Sequence, residues 1–308
     1  MPGRRERTIR EPDEPRAGLG RIAAQVRTAY RRERTRAGGD WQAYVSLAGP
    51  DGPLVAVDES AEQRVAAYSV NKIAVAAAVL DTVDRGLLAL DQRVEVTAEL
   101  ARPGGDGIFG LDGAYPSQVT LGHVLANLLT VSDDAAVRLC ALVCPATEVN
   151  RILAAKGFPH TQVRPVGDSP RFHLGTSTAR ETHDLLWALV GGTLLSPGST
   201  EFVLRLLRSP VAYTDGVRRT MSSAERARIA TKAGWFGDAR HEAGVICDTT
   251  GAPRLTYAFF AAGQPGADDF GATHAAVQAR ARLGRRLLDL TDRLAAREPH
   301  SHRPGNSG

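Results

Sequence analysis

Ser69-Val70-Asn71-Lys72, followed by an apolar run at residues 73–80, is the stretch that decides the fold of this 308-residue chain. Only three lysines occur among its 38 basic residues, and the rest are arginines, which stay protonated near neutral pH. If a helix begins near Ser69, residues three apart share a face and the Lys72 amine can reach the Ser69 hydroxyl. A buried lysine with a lowered pKa can act as a base for that serine. Taken alone, the string is a weak signal and is more typical of a capping serine beside a solvated lysine.

Two further strings follow in order along the chain. Ser132-Asp133-Asp134 ends the apolar segment 121–131, and Lys232-Ala233-Gly234 lies in the strand-like run 229–236. With the first string they resemble the S-x-x-K, S-D-N and K-T-G motifs of the class A β-lactamase and penicillin-binding protein superfamily. The resemblance covers roughly residues 19–295.

The resemblance implies a role for each motif residue in acyl transfer. Ser69 would attack the substrate carbonyl, and Lys72, neutral or acting through water, would accept its proton. Ser132 would relay the proton to the leaving group, assisted by the charge of Lys232. The backbone N–H groups of Ser69 and Trp235 would hold the oxyanion.

The chain departs from the family in the segment that normally supplies a deacylating glutamate. No glutamate occurs at residues 156–180, where Asp168 is the only acid. Glu181 is predicted to begin the next helix as a surface acid. Rapid β-lactam turnover by the usual route is therefore not expected. Asp168 and His173 are alternative deacylating bases or ordinary loop residues.

Two substitutions inside the motifs bear on the charge of the substrate. Ala233 replaces the family's threonine and removes a hydroxyl that binds a substrate carboxylate. Asp134 replaces the asparagine, and a carboxylate there would raise the pKa of Lys72 and repel an anionic substrate, unless it is itself protonated. Both changes predict weaker carboxylate recognition.

Further residues are candidates for substrate binding beside Gly234 of the third motif. Arg240, with His241, would supply compensating positive charge, unless it is an exposed arginine at a strand end. Trp235 offers an apolar ring beside the oxyanion site, although a core tryptophan is an equal alternative. Phe109 parallels the family's gate residue, or it packs in the ordinary way.

Periodicity predicts an α+β fold, in which an antiparallel sheet is flanked by helices and joined to an all-helical part. Strands are expected at 41–48, 53–57, 229–236, 243–248 and 255–262. Helices are expected at 20–36, 72–86, 121–131, 133–143, 146–155, 178–191 and 272–297. The predicted organisation is a disordered basic arm at 1–18, a sheet part at 19–68 and 207–297, a helical part at 69–206 and a disordered tail at 298–308.

Composition excludes several classes of function. The net charge of +4 is local, because residues 1–36 hold eleven arginines against five acids and the remainder carries −2. A solvated tail explains this better than nucleic-acid binding, for which no motif exists. No apolar segment resembles a signal peptide or membrane span, which predicts a cytoplasmic protein. The three cysteines have no metal or disulfide spacing, so no cofactor or metal is expected.

The sequence therefore predicts a serine hydrolase or acyltransferase that forms an acyl-enzyme at Ser69 on a small ester, amide or β-lactam-like substrate, within secondary metabolism. One alternative is a true β-lactamase with a different deacylating group. Another is a non-catalytic binding or sensor module, which would not need both Lys72 and Lys232. The substrate and the oligomeric state are not readable from the sequence.

Overall fold

The computed structural model describes residues 14–102, 104–167 and 169–296. The predicted tail lies outside these residues, and so does most of the predicted arm. Residues 14–18 of that arm belong to the first helix, α1 (Glu14–Ala37), which begins six residues before the predicted position.

A five-stranded antiparallel sheet is built from both ends of the chain, in the order β2-β1-β10-β9-β8. Its strands are β1 (Asp40–Gly49), β2 (Gly52–Glu59), β8 (Ile229–Phe236), β9 (Ala239–Cys247) and β10 (Pro253–Ala262). The two-residue turn between β8 and β9 contains Gly237, whose φ of 52° is typical of hairpin turns. This hairpin makes β8, with its Lys232-Ala233-Gly234 string, the edge strand.

Two helices cover the outer face of the sheet. Helix α1 and the terminal helix α9 (Ala275–Ala295) bury an apolar stripe against β1 and β10, and Tyr30 stacks on Phe259 there with ring centroids 6.0 Å apart. Apolar residues every three to four positions predicted both helices, because that spacing produces one continuous face.

The other face packs on the helical part. Its central helix, α2 (Lys72–Asp84), is buried on every side from Lys72 to Leu80, which explains why its sequence is apolar all round. A 3₁₀ helix (Tyr68–Asn71) leads into it. Around it lie α3 (Leu121–Thr130), α4 (Asp134–Val143), α5 (Ala146–Ala155), α6 (Ala179–Val190) and α7 (Pro197–Arg208). The short α8 (Ser223–Arg226) lies instead beside α9, where Arg285 pairs with Glu225 at 2.6 Å.

The part expected to be all-helical also contains two small sheets. One pairs β4 (Arg93–Val96) with β5 (Ser117–Thr120), and the other has the order β3-β7-β6, with β3 (Val65–Ala66), β6 (Gln162–Val166) and β7 (Ser169–Ser177). Strand β4 alternates exposed polar and buried apolar residues over its four residues, whereas β5 and β6 do not alternate. Helix α7 was also not predicted.

The predicted α+β class, with helices flanking an antiparallel sheet, is confirmed. Cys140, Cys144 and Cys247 are buried free thiols. No helix within the described residues is long and apolar enough to cross a membrane.

Candidate active site

Ser69 lies half-buried on the 3₁₀ helix at the seam between the sheet and the helical part. The Asn71 side chain fixes this turn by donating to the carbonyls of Leu174 (2.6 Å) and Thr176 (3.0 Å) on β7. One residue before the turn, the Ala67 N–H donates to the carbonyl of Gly175 at 3.1 Å. The β6–β7 hairpin therefore holds the turn that carries Ser69 in place.

Lys72 is fully buried at the start of α2 and makes three donor contacts through Nζ. The acceptors are the Ser132 carbonyl (2.5 Å), the Asp134 carboxylate (2.8 Å) and the Ser132 hydroxyl (3.2 Å). Three acceptors use all three N–H groups of a lysine ammonium. None of them is the Ser69 hydroxyl, so the direct Lys72–Ser69 hydrogen bond suggested by the motif is not formed in this state.

Lys232 approaches the same serine from the sheet. Its Nζ donates to the Ser132 hydroxyl at 3.0 Å, and the side chain is 2% exposed. Ser132 has a φ of 57°, a left-handed conformation that is costly for a residue other than glycine and is often found at functional sites. This conformation accompanies the contacts of both its carbonyl and its hydroxyl with Lys72. The structure thus places one hydroxyl between two buried amines.

Burial lowers the pKa of both amines. Desolvation lowers the pKa of Lys72, and the charge of Asp134 partly offsets this. Desolvation and the nearby charge of Lys72 lower the pKa of Lys232 well below its usual range. Because both amines contact the Ser132 hydroxyl, they titrate as a coupled pair. An amine that loses its proton more readily than a solvated lysine is what base catalysis requires.

Strand β8 lies directly on the backbone of the turn that carries Ser69. A Cβ atom added at Gly234 would lie 2.8 Å from the backbone nitrogens of both Ser69 and Val70, so a larger residue would displace the strand. Ala233 is fully buried. Trp235 is half-buried, with its ring 5.6 Å from that of Tyr213. The glycine therefore permits the close approach that brings Trp235 beside Ser69.

Arg240 is not presented for substrate binding, contrary to its predicted role, nor is it an exposed arginine at a strand end. It is 1% exposed. Its guanidinium donates hydrogen bonds of 2.7–3.0 Å to four backbone carbonyls, those of Gly237, Ala239, Ala267 and Asp269. These contacts tie the β8–β9 turn to a distant loop.

His241 does not supply positive charge either. Burial lowers its pKa to about 4, so the ring is neutral at pH 7. Its Nε2 donates to the Ala66 carbonyl at 3.0 Å, while Nδ1 accepts from the Ala261 N–H at 3.1 Å. Both ring nitrogens are thus occupied by the backbone.

The loop before β5 faces α4 and carries Phe109. Phe109 is half-buried against the hydrophobic core, and its N–H donates to the Asp133 carboxylate at 2.9 Å. Asp133 also caps α4 by accepting from the Ala136 N–H at 2.9 Å. In this state Phe109 has the packing role that was the alternative to a gate.

Asp106, on the same loop, is a site residue that the sequence reasoning missed. Its backbone exchanges two hydrogen bonds with Asp134, and its pKa responds to the charges of Lys72 and Lys232. The Gly104-Gly105-Asp106-Gly107 string was the available signal, because glycines flanking a single acid indicate a tightly packed turn that presents one charged side chain.

The candidate deacylating bases have other positions or roles. Glu181, predicted as a surface acid, is 8% exposed and accepts hydrogen bonds from the His160 N–H (3.0 Å) and the Thr161 hydroxyl (2.7 Å). It therefore joins α6 to the segment before β6. His173 is exposed on β7, opposite Arg164. Asp168 lies outside the described residues.

A second serine centre lies in the core, away from these motifs. The Ser46 hydroxyl is 2.8 Å from His183 Nε2, and His183 Nδ1 is 2.7 Å from the Asp184 carboxylate. This is the bonding order of a Ser-His-Asp triad. Ser46 is 0% exposed, however, so a substrate cannot reach it. Its bonds satisfy polar groups that β1 and α6 bury.

Comparison with solved structures supports the same architecture. A β-lactamase from Xanthomonas campestris superposes with a TM-score of 0.73 at 19% identity, covering 87% of this chain and 98% of that chain. A β-lactamase from Sphaerobacter thermophilus gives a TM-score of 0.67 at 22% identity, covering 92% and 99%. A mutant of PBP-A, in an acyl-enzyme complex with penicillin G, gives 0.67 at 19%, covering 88% and 96%.

No curated protein sequence matches the chain. The sequence pattern of the β-lactamase enzyme family matches residues 25–291, which include all three motifs. The chain belongs to the β-lactamase enzyme family.

Proposed function

We propose that the protein is a serine hydrolase or acyltransferase that forms an acyl-enzyme at Ser69 on a small ester, amide or β-lactam-like substrate. One observation carries the proposal: the Ser132 hydroxyl lies 3.2 Å from Lys72 Nζ and 3.0 Å from Lys232 Nζ, at the seam where β8 meets the backbone of Ser69. A hydroxyl between two buried amines is suited to passing a proton between the nucleophile's base and a leaving group.

In the proposed acylation, neutral Lys72 removes the Ser69 proton, directly or through water, as the serine oxygen attacks the substrate carbonyl. Loss of one proton from Lys72 frees a lone pair and leaves two N–H groups for the Ser132 carbonyl and Asp134. Ser132 then gives its proton to the leaving group and recovers one from the paired lysines. The bond to Ser69 forms and the bond to the leaving group breaks without any external oxidant.

The oxyanion in this proposal accepts hydrogen bonds from the backbone N–H groups of Ser69 and Trp235. The close approach at Gly234 supports this, because it sets the next residue of β8 beside the nucleophile's turn. Prearranged backbone donors stabilise the developing charge without reorganisation, and loss of one typically costs about 10²–10³-fold in rate.

Intact-mass analysis with a fluorophosphonate and with a penicillin tests acylation. We expect one adduct per chain at Ser69 in the wild type and none in Ser69→Ala. Ser46→Ala is the matched control, because Ser46 has a bonded histidine but no exposure, and it should label like the wild type. Absence of an adduct with both probes, or an adduct mapped to another residue, would overturn the proposal.

The fate of the acyl group separates an ordinary β-lactamase from a slowly deacylating enzyme. Since Glu181 is bonded to the segment before β6, we expect nitrocefin to give a stoichiometric burst and little further turnover. Multiple turnovers that disappear in Ser69→Ala would instead make the protein a true β-lactamase with another deacylating group. A ligand that stabilises Ser69→Ala and wild type equally, without acylation, would indicate a sensor module.

A further inference from the structure

We propose that Asp134 is the charge-selecting residue of this site, so that the substrate is an ester or amide whose group nearest α4 is uncharged or positively charged, rather than a carboxylate. This rests on the proposed function and narrows its substrate class.

The carboxylate of Asp134 is placed where a substrate would meet it. Asp134 is the first residue of α4, and its side chain is 42% exposed although one oxygen binds the fully buried Lys72. Its other oxygen accepts from the Asp106 N–H at 3.2 Å. It therefore joins the catalytic amine on one side to the surface of the site on the other.

A pocket of about 130 Å³ opens against this carboxylate. It is lined by residues of the glycine-rich loop and of the α4 N-terminus, among them Gly105, Asp106 and Asp134. A Cβ atom at Gly105 would lie 2.9 Å from the Asp134 carboxylate, so the loop follows that carboxylate closely. None of Ser69, Lys72, Ser132 and Lys232 lines this pocket, so Asp134 is the residue that joins it to Lys72.

Asp106 adds a second carboxylate to the same wall. Burial and the charge of Asp134 raise the pKa of Asp106, while Lys72 and Lys232 act in the opposite direction. Arg102 also lines the pocket, but it is held by Glu99, with the guanidinium 3.1 Å from the Glu99 carbonyl. A substrate carboxylate entering here would face like charge.

The arginines and the histidine on and near β9 are held by other partners or are neutral. The Arg240 guanidinium is buried on four carbonyls, and His241 is neutral. Two further arginines are fully buried with partners of their own: Arg280 lies 3.6 Å from the Glu242 carboxylate, and Arg218 donates to backbone carbonyls after α7. Ala233 also lacks a hydroxyl, and Lys232, the cation of the third motif, is 2% exposed and bonded to Ser132.

Three 4-nitrophenyl esters test this inference. Their acyl chains have equal length and end in a carboxamide, a carboxylate or a trimethylammonium group, and rates are corrected for spontaneous hydrolysis. In the wild type we expect kcat/KM for the carboxamide to exceed that for the carboxylate at least about tenfold, with the ammonium ester as good or better. In Asp134→Asn the ratio of carboxamide to carboxylate should fall toward one.

The ratio of kcat/KM for the carboxamide ester to that for the carboxylate ester reports charge selectivity alone. A change in the base strength of Lys72 would alter kcat/KM for all three esters alike and leave this ratio unchanged. Asp91→Asn removes an exposed aspartate outside the site and should keep the wild-type ratio. Asp106→Asn should also lower the ratio of carboxamide to carboxylate, by a smaller factor. This variant provides the test if Asp134→Asn fails to fold. Fluorophosphonate labelling at Ser69 together with an unchanged ratio in both variants would overturn this inference alone. No labelling in the wild type would overturn the proposed function.

Discussion

Ser46 and Ser69 differ in both hydrogen bonding and solvent exposure, and hydrogen bonding alone would suggest the wrong one as a reactive serine. Ser46 has the complete bonding order of a triad with His183 and Asp184, yet it is fully buried in the sheet. Ser69 lies half-buried at the seam and has no lysine bonded to its hydroxyl in this state, although Lys72 is three residues away. The bonding pattern favours the first centre, whereas access favours the second.

The electrostatics of the two centres separate them further. The Ser69 centre contains two buried amines with lowered pKa values and a Ser132 in a strained backbone conformation. Strand β8 also packs on the backbone nitrogen of Ser69. The Ser46 centre holds a histidine enclosed by Tyr44 and Trp187. Perturbed groups that lie beside a partly exposed serine are more diagnostic of catalysis than a satisfied polar network around a fully buried one.

Replacing the proposed base, Lys72, should lower the rate of acylation at Ser69 more than any other change. Lys72→Arg keeps a positive charge but cannot donate a lone pair near neutral pH, so acylation by a neutral ester should fall by about 10²–10⁴-fold. Stopped-flow kinetics under single-turnover conditions measures the rate.

Lys156→Arg is the matched control for that variant. Lys156 is the chain's third lysine and pairs with Asp81 at 2.8 Å, away from the motifs. The same substitution there should leave the rate within about twofold of the wild type. Comparable loss in both variants, or full activity of Lys72→Arg at unchanged melting temperature, would contradict a base role for Lys72.

The pH dependence of acylation tests the coupled amines. Burial lowers the pKa of Lys232 more strongly than that of Lys72, so the pair first loses its proton at Lys232. Transfer of a proton from Lys72 to Lys232 through the Ser132 hydroxyl then gives the reactive form, in which Lys72 is neutral and Lys232 is charged. The rate should therefore rise about tenfold per pH unit until the first proton is lost, at a pH below that of a solvated lysine, and should fall when the second is lost. Charged groups that shift these limbs are Asp106, Asp133, Asp134 and Glu242.

Asp134→Asn sharpens this test. The carboxylate raises the pKa of Lys72, so its removal should move the rising limb to lower pH. A profile that is flat from pH 6 to 10, or a limb that moves to higher pH in Asp134→Asn, would contradict control by the amine pair. The profile is measured with an uncharged ester, so that substrate ionisation does not enter.

Much of the site could be predicted because its residues are close neighbours within short sequence motifs. Ser69 and Lys72 share one turn, Gly234 follows Lys232 in one strand, and the order of the motifs along the chain specifies the two parts that meet. The fold followed from similar local patterns, since α2 is apolar all round and β10 is rich in apolar residues. Strand β9 was predicted only from residue 243, because Arg240, His241 and Glu242 precede its apolar half. Local patterns of this kind are legible in a single sequence.

The remainder depends on contacts between distant segments. Arg240 was expected at the substrate, but a loop 27 to 29 residues later supplies carbonyls that enclose it. Glu181 was expected at the surface, but the segment before β6 folds over it. Pairing between β6 and β7 is set by neighbours rather than by strand composition. Partners of this sort cannot be assigned before the packing is known.

Ser46→Ala gives the smallest expected effect and completes the comparison of the two serines. Removal of the hydroxyl leaves His183 Nε2 buried without its 2.8 Å partner, which should lower the free energy of unfolding by about 1–3 kcal/mol. Urea denaturation followed by circular dichroism measures this. Acylation of Ser69 should proceed at the wild-type rate, because the Ser46 centre has no access to substrate. A loss of acylation with unchanged stability would show instead that the buried centre takes part in the chemistry, since a structural hydrogen bond would affect stability first.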